Sequence, residues 1–465
     1  MQVSDLRRLT LREIAIGIRD HRITPTELVT TLLDQIRRTD GKLKAYVTVC
    51  AEDALEQAEA AELELQSGHD LGPLHGIPVS IKDNFETKGI RTTCGSKLLK
   101  NYIPARDCTV VNRLKQSGAI MLGKTNTHEF ALGVITPPTR NPWSTDRIPG
   151  GSSGGSAVAV AVASAAVATG SDTAGSIRIP SSFCGAVGLK PTYGLVSRAG
   201  VIPECWSLDH IGPIARRVDD AALLLSVMAG YDVQDPNSSE KNVPSYLKEL
   251  GGELQGMTIG IPKNHFFDRC DEEVEKAVFS AVDLLATLGC KIVEFDFPHV
   301  TEVFAACTAI DLCESSTYHE RNLAERADEF SPDVRAYLDQ GFFIPATYYI
   351  NALRMRAMIF QEVVGLFKRF DVIITPTEPI VAPLVETGRV SFDGSEENVT
   401  DAMVRYTYPF NLMGLPALSI PCGFSKGRLP IGLQIIGKPF CEATVLKLGN
   451  AYEQATTWHS YEPDV

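Results

Sequence analysis

The chain has 465 residues, 44% hydrophobic and 22% charged, with no long biased tract, which excludes a disordered or fibrous protein and allows a large buried core. Its 57 acidic against 44 basic side chains give a formal charge of −13 at pH 7. No basic run or basic-aromatic stripe is present to track a phosphate backbone, so nucleic-acid binding is not expected and the acidity reads as solubility.

The N-terminus, Met1 to Arg8, lacks the apolar core and small-residue cleavage site of a secretion signal. The first 65 or so residues read as helical. Thr24, Pro25 and Glu27 offer a cap and a first-turn proline before the periodic Leu28, Leu32, Leu33 and Ile36, and Ala51 to Leu65 forms a second helix. After the break at Gly72-Pro73, the run Ile77 to Ile81 alternates like a short strand and leaves Lys82 at its carboxyl end. A helix from Thr109 and a strand at Ala119 to Lys124 follow, and the small apolar run Ala157 to Ala168, too short to span a bilayer, reads as a buried helix. Strand, helix and strand recur at Met257 to Ile261, Glu272 to Leu288 and Lys291 to Phe295. This rhythm implies an α/β architecture. A mainly helical, aromatic elaboration spans about 300–370, and further strands are expected at Asp371 to Thr377, Ala417 to Pro421 and Ile431 to Ile436. No repeat or linker divides the chain, so residues 1–465 are expected to form one unit.

Eleven cysteines lie between Cys50 and Cys441 without a C-x-x-C pair or a histidine at ligand spacing. They read as free buried thiols in a reducing cytoplasm, not a disulfide framework or a metal site.

The chemistry concentrates in two glycine- and serine-rich turns, Pro149 to Ser156 and Gly170 to Arg178, on either side of the Ala/Val run. A flexible linker would not be bracketed by buried segments. A phosphate loop needs Gly-Lys-Ser/Thr, which is missing. Gly150-x-Ser152-x-Gly154 matches a nucleophile elbow, which would make Ser152 the nucleophile of an α/β-hydrolase-type esterase with His210 as its base; however, the segment before Ser152 is turn-like where an elbow requires a buried strand.

A fourth reading joins three segments in order. Gly76 to Asn84, Gly150 to Ser156 and Asp172 to Arg178, with Cys184-Gly185 and Gly188 to Thr192 after them, resemble the amidase signature family. The resemblance is densest from Gly76 to Pro213 and from Pro416 to Gly437. It implies a single large mixed β-sheet flanked by helices on both faces, and a Ser-Ser-Lys triad in which Ser176 is the nucleophile, Ser152 the relay across a cis Gly151–Ser152 peptide, and Lys82 the base. A serine hydroxyl needs such a base, and a lysine serves only when burial keeps it neutral. The backbone N–H groups of Thr173, Ala174, Gly175 and Ser176 are expected to form the oxyanion hole. The family usually carries glycine where Ala174 stands. Phe130, Ala131, Leu132 and Trp206 resemble positions that line the substrate pocket. Asp172 and Arg178 read as a structural ion pair, and Ser153 and Ser156 as loop-shaping.

One branch of the family is the glutaminase subunit of a tRNA-dependent amidotransferase, and Pro191 to Arg198 and Gly432 to Gly437 are much like it. Arg356 falls near that branch's arginine for the glutamine carboxylate. Three departures count against the branch: Val404 stands where it carries an acidic residue for the glutamine amine, Ile179 replaces a glutamine, and Val134 to Arg140 is shorter than its counterpart. The expectation is a stand-alone amidase for a neutral or aromatic amide, anilide or carbamate, with no cofactor and no metal. Its expected partner is the small-molecule amide, with no direct nucleic-acid contact and no membrane, and a homodimer is compatible with the sequence.

Overall fold

Thr24 caps the helix Pro25–Leu43 and Glu27 returns the bond to the Thr24 backbone, as the sequence signals require. Thr10 and Glu13 build the same box on the helix Leu11–Arg19. The periodic Leu28, Leu32, Leu33 and Ile36 are all buried. The computed structural model describes residues 8–465, so the first seven residues of the expected N-terminal helical segment lie outside the described residues.

The strands are, in chain order, β1 (Tyr46–Val49), β2 (Pro78–Lys82), β3 (Ile120–Thr125), β4 (Val167–Asp172), β5 (Val187–Lys190), β6 (His210–Ala215), β7 (Thr258–Pro262), β8 (Lys291–Phe295), β9 (Val372–Pro376), β10 (Arg389–Phe392), β11 (Ser395–Asn398), β12 (Ala417–Phe424) and β13 (Pro430–Gly437). Strands β10 and β11 make a separate hairpin. Among the described residues the others form one 11-stranded sheet in the order β1-β3-β2-β4-β6-β5-β12-β13-β9-β7-β8. It is mixed: β2 runs parallel to β3 and β4, and β7 parallel to β8 and β9, while β4–β6, β5–β12, β12–β13 and β13–β9 are antiparallel.

Successive residues of one strand enter different cores, because side chains alternate across a sheet. Val372 and Ile374 of β9 join a cluster with Val274, Val278 and Leu285 of the helix Glu272–Thr287. Ile373 between them joins a second cluster with Ile310 of the helix Val300–Arg326 and Ile359 of the helix Ala346–Leu366. Helices therefore cover both faces, and the long helices of the 300–370 stretch supply the second layer.

One element departs from the sequence expectation. The run Ala157 to Ala168 is not a single helix: it ends its helix, Gly154–Ala161, early, turns through Ala163 with φ 53°, and begins β4 at Val167. A buried apolar run carries no period that separates helix from strand, and here the strand's small residues disguise it.

Candidate active site

Strand β2 delivers Lys82 at its carboxyl end, fully buried, with its backbone N–H held by Thr169 Oγ1 of β4 at 3.1 Å. Lys82 Nζ donates to Ser152 Oγ at 2.7 Å and to Ser171 Oγ at 2.8 Å, and Asn84 Nδ2 donates to the same Ser171 hydroxyl at 3.1 Å. The other buried lysines differ. Lys124 lies 3.6 Å from the Asp83 carboxylate and donates to the Phe85 carbonyl, and Lys190 donates to the carbonyls of Leu415 and Pro191. Lys124 also donates to two hydroxyls, Thr87 Oγ1 and Thr92 Oγ1, whereas the hydrogen-bond partners of Lys82 Nζ are both hydroxyls, with no carbonyl or carboxylate between them. A hydroxyl can either accept from an ammonium or donate to a neutral amine. Burial pulls its ammonium down to about 8, against the opposing pull of Glu204, Cys94, Asp172 and Asp209.

Ser152 stands in an irregular loop, and the Gly151–Ser152 peptide is cis. Its carbonyl accepts from the His128 N–H at 3.2 Å and from Thr136 Oγ1 at 3.1 Å. Ser153 Oγ donates to the Ser171 carbonyl, and Ser156 Oγ donates to the Thr169 carbonyl while meeting Thr125 Oγ1 at 2.7 Å. These two serines therefore moor the loop to β3 and β4. Gly155 fits because its Cα faces Asn126 and the Ala45 carbonyl so closely that a Cβ would lie 2.5 Å from them.

Ser176 occupies the turn between β4 and the helix Arg178–Cys184, so the strand-turn-helix setting missing at Ser152 is present one motif later. Among the described residues the backbone N–H groups of Thr173, Ala174, Gly175 and Ser176 have no hydrogen-bond acceptor within the protein. Gly175 has φ +133°, a conformation that side-chain-bearing residues rarely adopt, whereas Ala174 lies outside the positive-φ region and carries its Cβ without strain. Thr407 Oγ1 fixes the turn by donating to the Ala174 carbonyl at 2.5 Å.

Beneath the turn, Asp172 and Arg178 form the expected ion pair, fully buried, at 2.9 Å and 3.0 Å. Arg178 also donates to the Thr407 carbonyl, Gln434 Oε1 and Asn411 Oδ1, and Asp172 accepts from Asn411 Nδ2 and the Ile177 N–H. Although burial opposes it, the Arg178 charge holds the Asp172 carboxyl well below the usual carboxylate range.

Ser176 and Ala174 border a cavity of about 260 Å³ together with Leu132, Val134, Glu204 and Val404. Phe130 is buried against the rings of His319 and Phe330, at 4.3 Å and 5.8 Å, and Ala131 is buried beside it; neither lines this cavity. Trp206 lines a neighbouring cavity of about 320 Å³ with Ser171, Asn84 and Glu204. Arg356 donates to the Ser207 carbonyl at 3.0 Å and lies over the Tyr193 ring, so it too stays outside the Ser176 cavity. His210 sits in β6 opposite Asp172, its Nδ1 2.6 Å from the Leu208 carbonyl, and among the described residues it hydrogen-bonds to neither Ser152 nor Ser176. Burial holds its imidazole well below the usual histidine range. The geometry thus offers no base for a Ser152-His210 esterase.

Comparison with known proteins gives the family. Residues 27–446 match the family described as Amidase. The chain belongs to the amidase signature family. It is 44% identical to an amidase of Pseudomonas putida, over 100% of this chain and 99% of the relative, and 42% identical to a glutamyl-tRNA(Gln) amidotransferase subunit of Carboxydothermus hydrogenoformans, over 99% of both. A bacterial aryl acylamidase belonging to the amidase signature enzymes superposes with a TM-score of 0.89 at 27% identity, covering 97% of this chain and 98% of that one. The family places the protein among enzymes of amide C–N bonds. No helix among the described residues is long and apolar enough to cross a membrane.

Sequence reading missed three participants: Ser171, the second hydroxyl on Lys82; Thr407, the clamp on the Ala174 carbonyl; and Glu204, shared by the two cavities. Ser171 adjoins the Asp172 motif and so had a signal. Thr407 and Glu204 reach the site only through tertiary packing and had none.

Proposed function

We propose that the chain is a stand-alone serine amidase that hydrolyses a small amide, anilide or carbamate. Ser176 attacks the carbonyl, its proton passes through Ser152 to Lys82, and the tetrahedral oxyanion meets the N–H groups of residues 173–176. Collapse expels the amine, which takes the proton back from the Lys82–Ser152 pair, and water then hydrolyses the acyl-enzyme by the same route. The observation that carries this reading is the 2.7 Å contact between a buried Lys82 and Ser152, in a loop bonded directly to the carbonyl of Ser176. Mass spectrometry of the intact protein quenched during turnover of an aryl amide tests it. An adduct of the acyl mass is expected on the wild type and not on Ser176→Ala; an adduct retained by Ser176→Ala would remove Ser176 from the role.

The second reading, a glutaminase subunit of a tRNA-dependent amidotransferase, is favoured by the name and the 42% identity of the Carboxydothermus relative. Two features of the cavity weigh against it: the apolar Val404, and a lining that includes no lysine or arginine for the glutamine carboxylate. Ammonia release from glutamine, measured with and without added partner proteins, decides between them. Release that depends on partners would establish the amidotransferase role, and turnover of simple amides by the isolated chain would establish the stand-alone enzyme.

A further inference from the structure

The walls of the Ser176 cavity are unusually one-sided in charge. Glu204, Asp311, Asp333 and Asp401 line it, His128 is the one basic residue type represented, and no lysine or arginine among the described residues borders it. Three of these four carboxyls are accounted for by their surroundings. Asp311 accepts hydroxyl hydrogen bonds from Tyr408 at 2.6 Å, Tyr337 at 2.9 Å and Ser315 at 2.9 Å. Asp333 meets His128 at 3.2 Å, and Asp401 is partly exposed to water.

Glu204 is different. It is 7% exposed, and its Oε2 is buried without a hydrogen-bond partner among the described residues. Its backbone is held in place, with the N–H donated to Asp209 Oδ2 and the carbonyl accepting from Ser315 Oγ. Asp209 also accepts from Thr173 Oγ1 at 2.7 Å, which ties Glu204 to the turn that carries Ser176. Burial, and after it the negative charge of Asp311, raise the Glu204 carboxyl well above its usual range. A buried carboxyl oxygen without a donor is costly, and what the cavity lacks is a hydrogen-bond donor, preferably a cationic one.

We infer that the amide accepted here carries a protonated amino group away from the scissile bond, and that this ammonium is held by Glu204, beside Asp311, while the carbonyl lies at Ser176. The inference takes the Ser176 cavity as the substrate site and replaces the neutral or aromatic substrate expected from the sequence with an amino-substituted one. An ammonium supplies three donors to carboxyls that line the same cavity, and its charge favours the ionised Glu204 that burial alone disfavours, whereas a substrate carboxylate would add a further negative group to that acidic lining. Glu204 is then a specificity residue supplied by the segment before β6, on a different element from Val404.

The test uses Ser176→Ala, which binds without turnover, and a homologous series of ω-aminoalkanamides, each paired with its methyl-terminated isostere and its ω-carboxylate analogue. Calorimetric titration is expected to give binding about tenfold or more tighter for the best aminoalkanamide than for its isostere, the scale of one charge-assisted hydrogen bond. Adding Glu204→Gln is expected to remove the difference while the isostere still binds. Equal or tighter binding of the isostere or the carboxylate by Ser176→Ala with Glu204 intact would overturn the inference, and so would a preference that survives Glu204→Gln. Hydrolysis by the wild type reports separately on the reaction: discrimination in binding without any turnover would leave the amine site standing and sink the serine-amidase reading.

Discussion

Ser153 donates its backbone N–H to the carbonyl of Ser176 at 3.1 Å, so the loop that carries Ser152 and the turn that carries Ser176 are bonded to each other directly. The two serines therefore sit in one rigid assembly, although a helix and a strand separate them in the chain.

Residues that act as such an assembly are not additive when removed. Ser176→Ala, Ser152→Ala and Lys82→Ala are each expected to lower kcat by about a thousandfold or more, and the double variant Ser152→Ala/Ser176→Ala to be no slower than Ser176→Ala alone. Steady-state kinetics on one aryl amide is sufficient. A double variant slower by the product of the single losses would show that the serines work independently.

The proton carried by Lys82 predicts opposite effects on activity and stability. In the proposed mechanism the neutral amine is the active form, so kcat/KM is expected to rise with pH through about 8. Because the folded pKa lies below that of unfolded lysine, protonation favours the unfolded chain. The resulting penalty is full below about pH 8 and disappears as pH climbs above the unfolded lysine range. Lys82→Met is therefore expected to be inactive yet more stable at pH 7, by on the order of 3 kcal/mol, with the gain vanishing above about pH 10.5. Denaturant unfolding across this range reads the gain directly; a variant less stable than wild type at neutral pH would refute the argument.

Breaking the Asp172–Arg178 pair should be costly in a different way. Arg178→Met leaves a buried carboxylate with one partner fewer and is expected to destabilise the fold by about 3–5 kcal/mol, while the double replacement Asp172→Leu/Arg178→Met should recover part of that loss. Thermal unfolding of the three proteins distinguishes this from a purely additive effect.

His210 supplies a negative prediction. Its ring is held by the Leu208 carbonyl and reaches neither serine, so His210→Gln should still form the acyl-enzyme, with kcat reduced by less than about tenfold, the scale of a modest packing change. Loss of acylation in a folded His210→Gln protein, detected by intact-mass analysis, would restore the histidine as a base.

Much of this architecture was legible in the residues. The strands around Ile77, Ala119, Met257, Lys291 and Ile373 appear within one or two positions of their observed bounds, because each is a short, largely apolar run between turn residues. The strands that escaped notice have physical reasons for doing so. Small residues of β4 merge with the helix before it, and β6 contains Gly212 and Pro213, residues that ordinarily argue against a central strand, yet Pro213 pairs opposite Thr169. In the site, motifs local in sequence marked Lys82, Ser152 and Ser176. Phe130 shows the limit of such motifs: it lies two residues before the cavity residue Leu132 but packs into an aromatic cluster with His319 and Phe330.

The five hydrogen bonds of the Arg178 side chain end on Asp172, Thr407, Asn411 and Gln434, so three of the five supports beneath the Ser176 turn come from chain made more than two hundred residues later. During synthesis, the segment with all three expected catalytic side chains leaves the ribosome well before its foundation exists. A nascent chain that stops short of Thr407 has a guanidinium beneath Ser176 with most of its acceptors missing, which is a costly group to bury. The candidate site is therefore completed only at the end of translation, and a truncation near the C-terminus, remote from Ser176 in sequence, strikes at its floor.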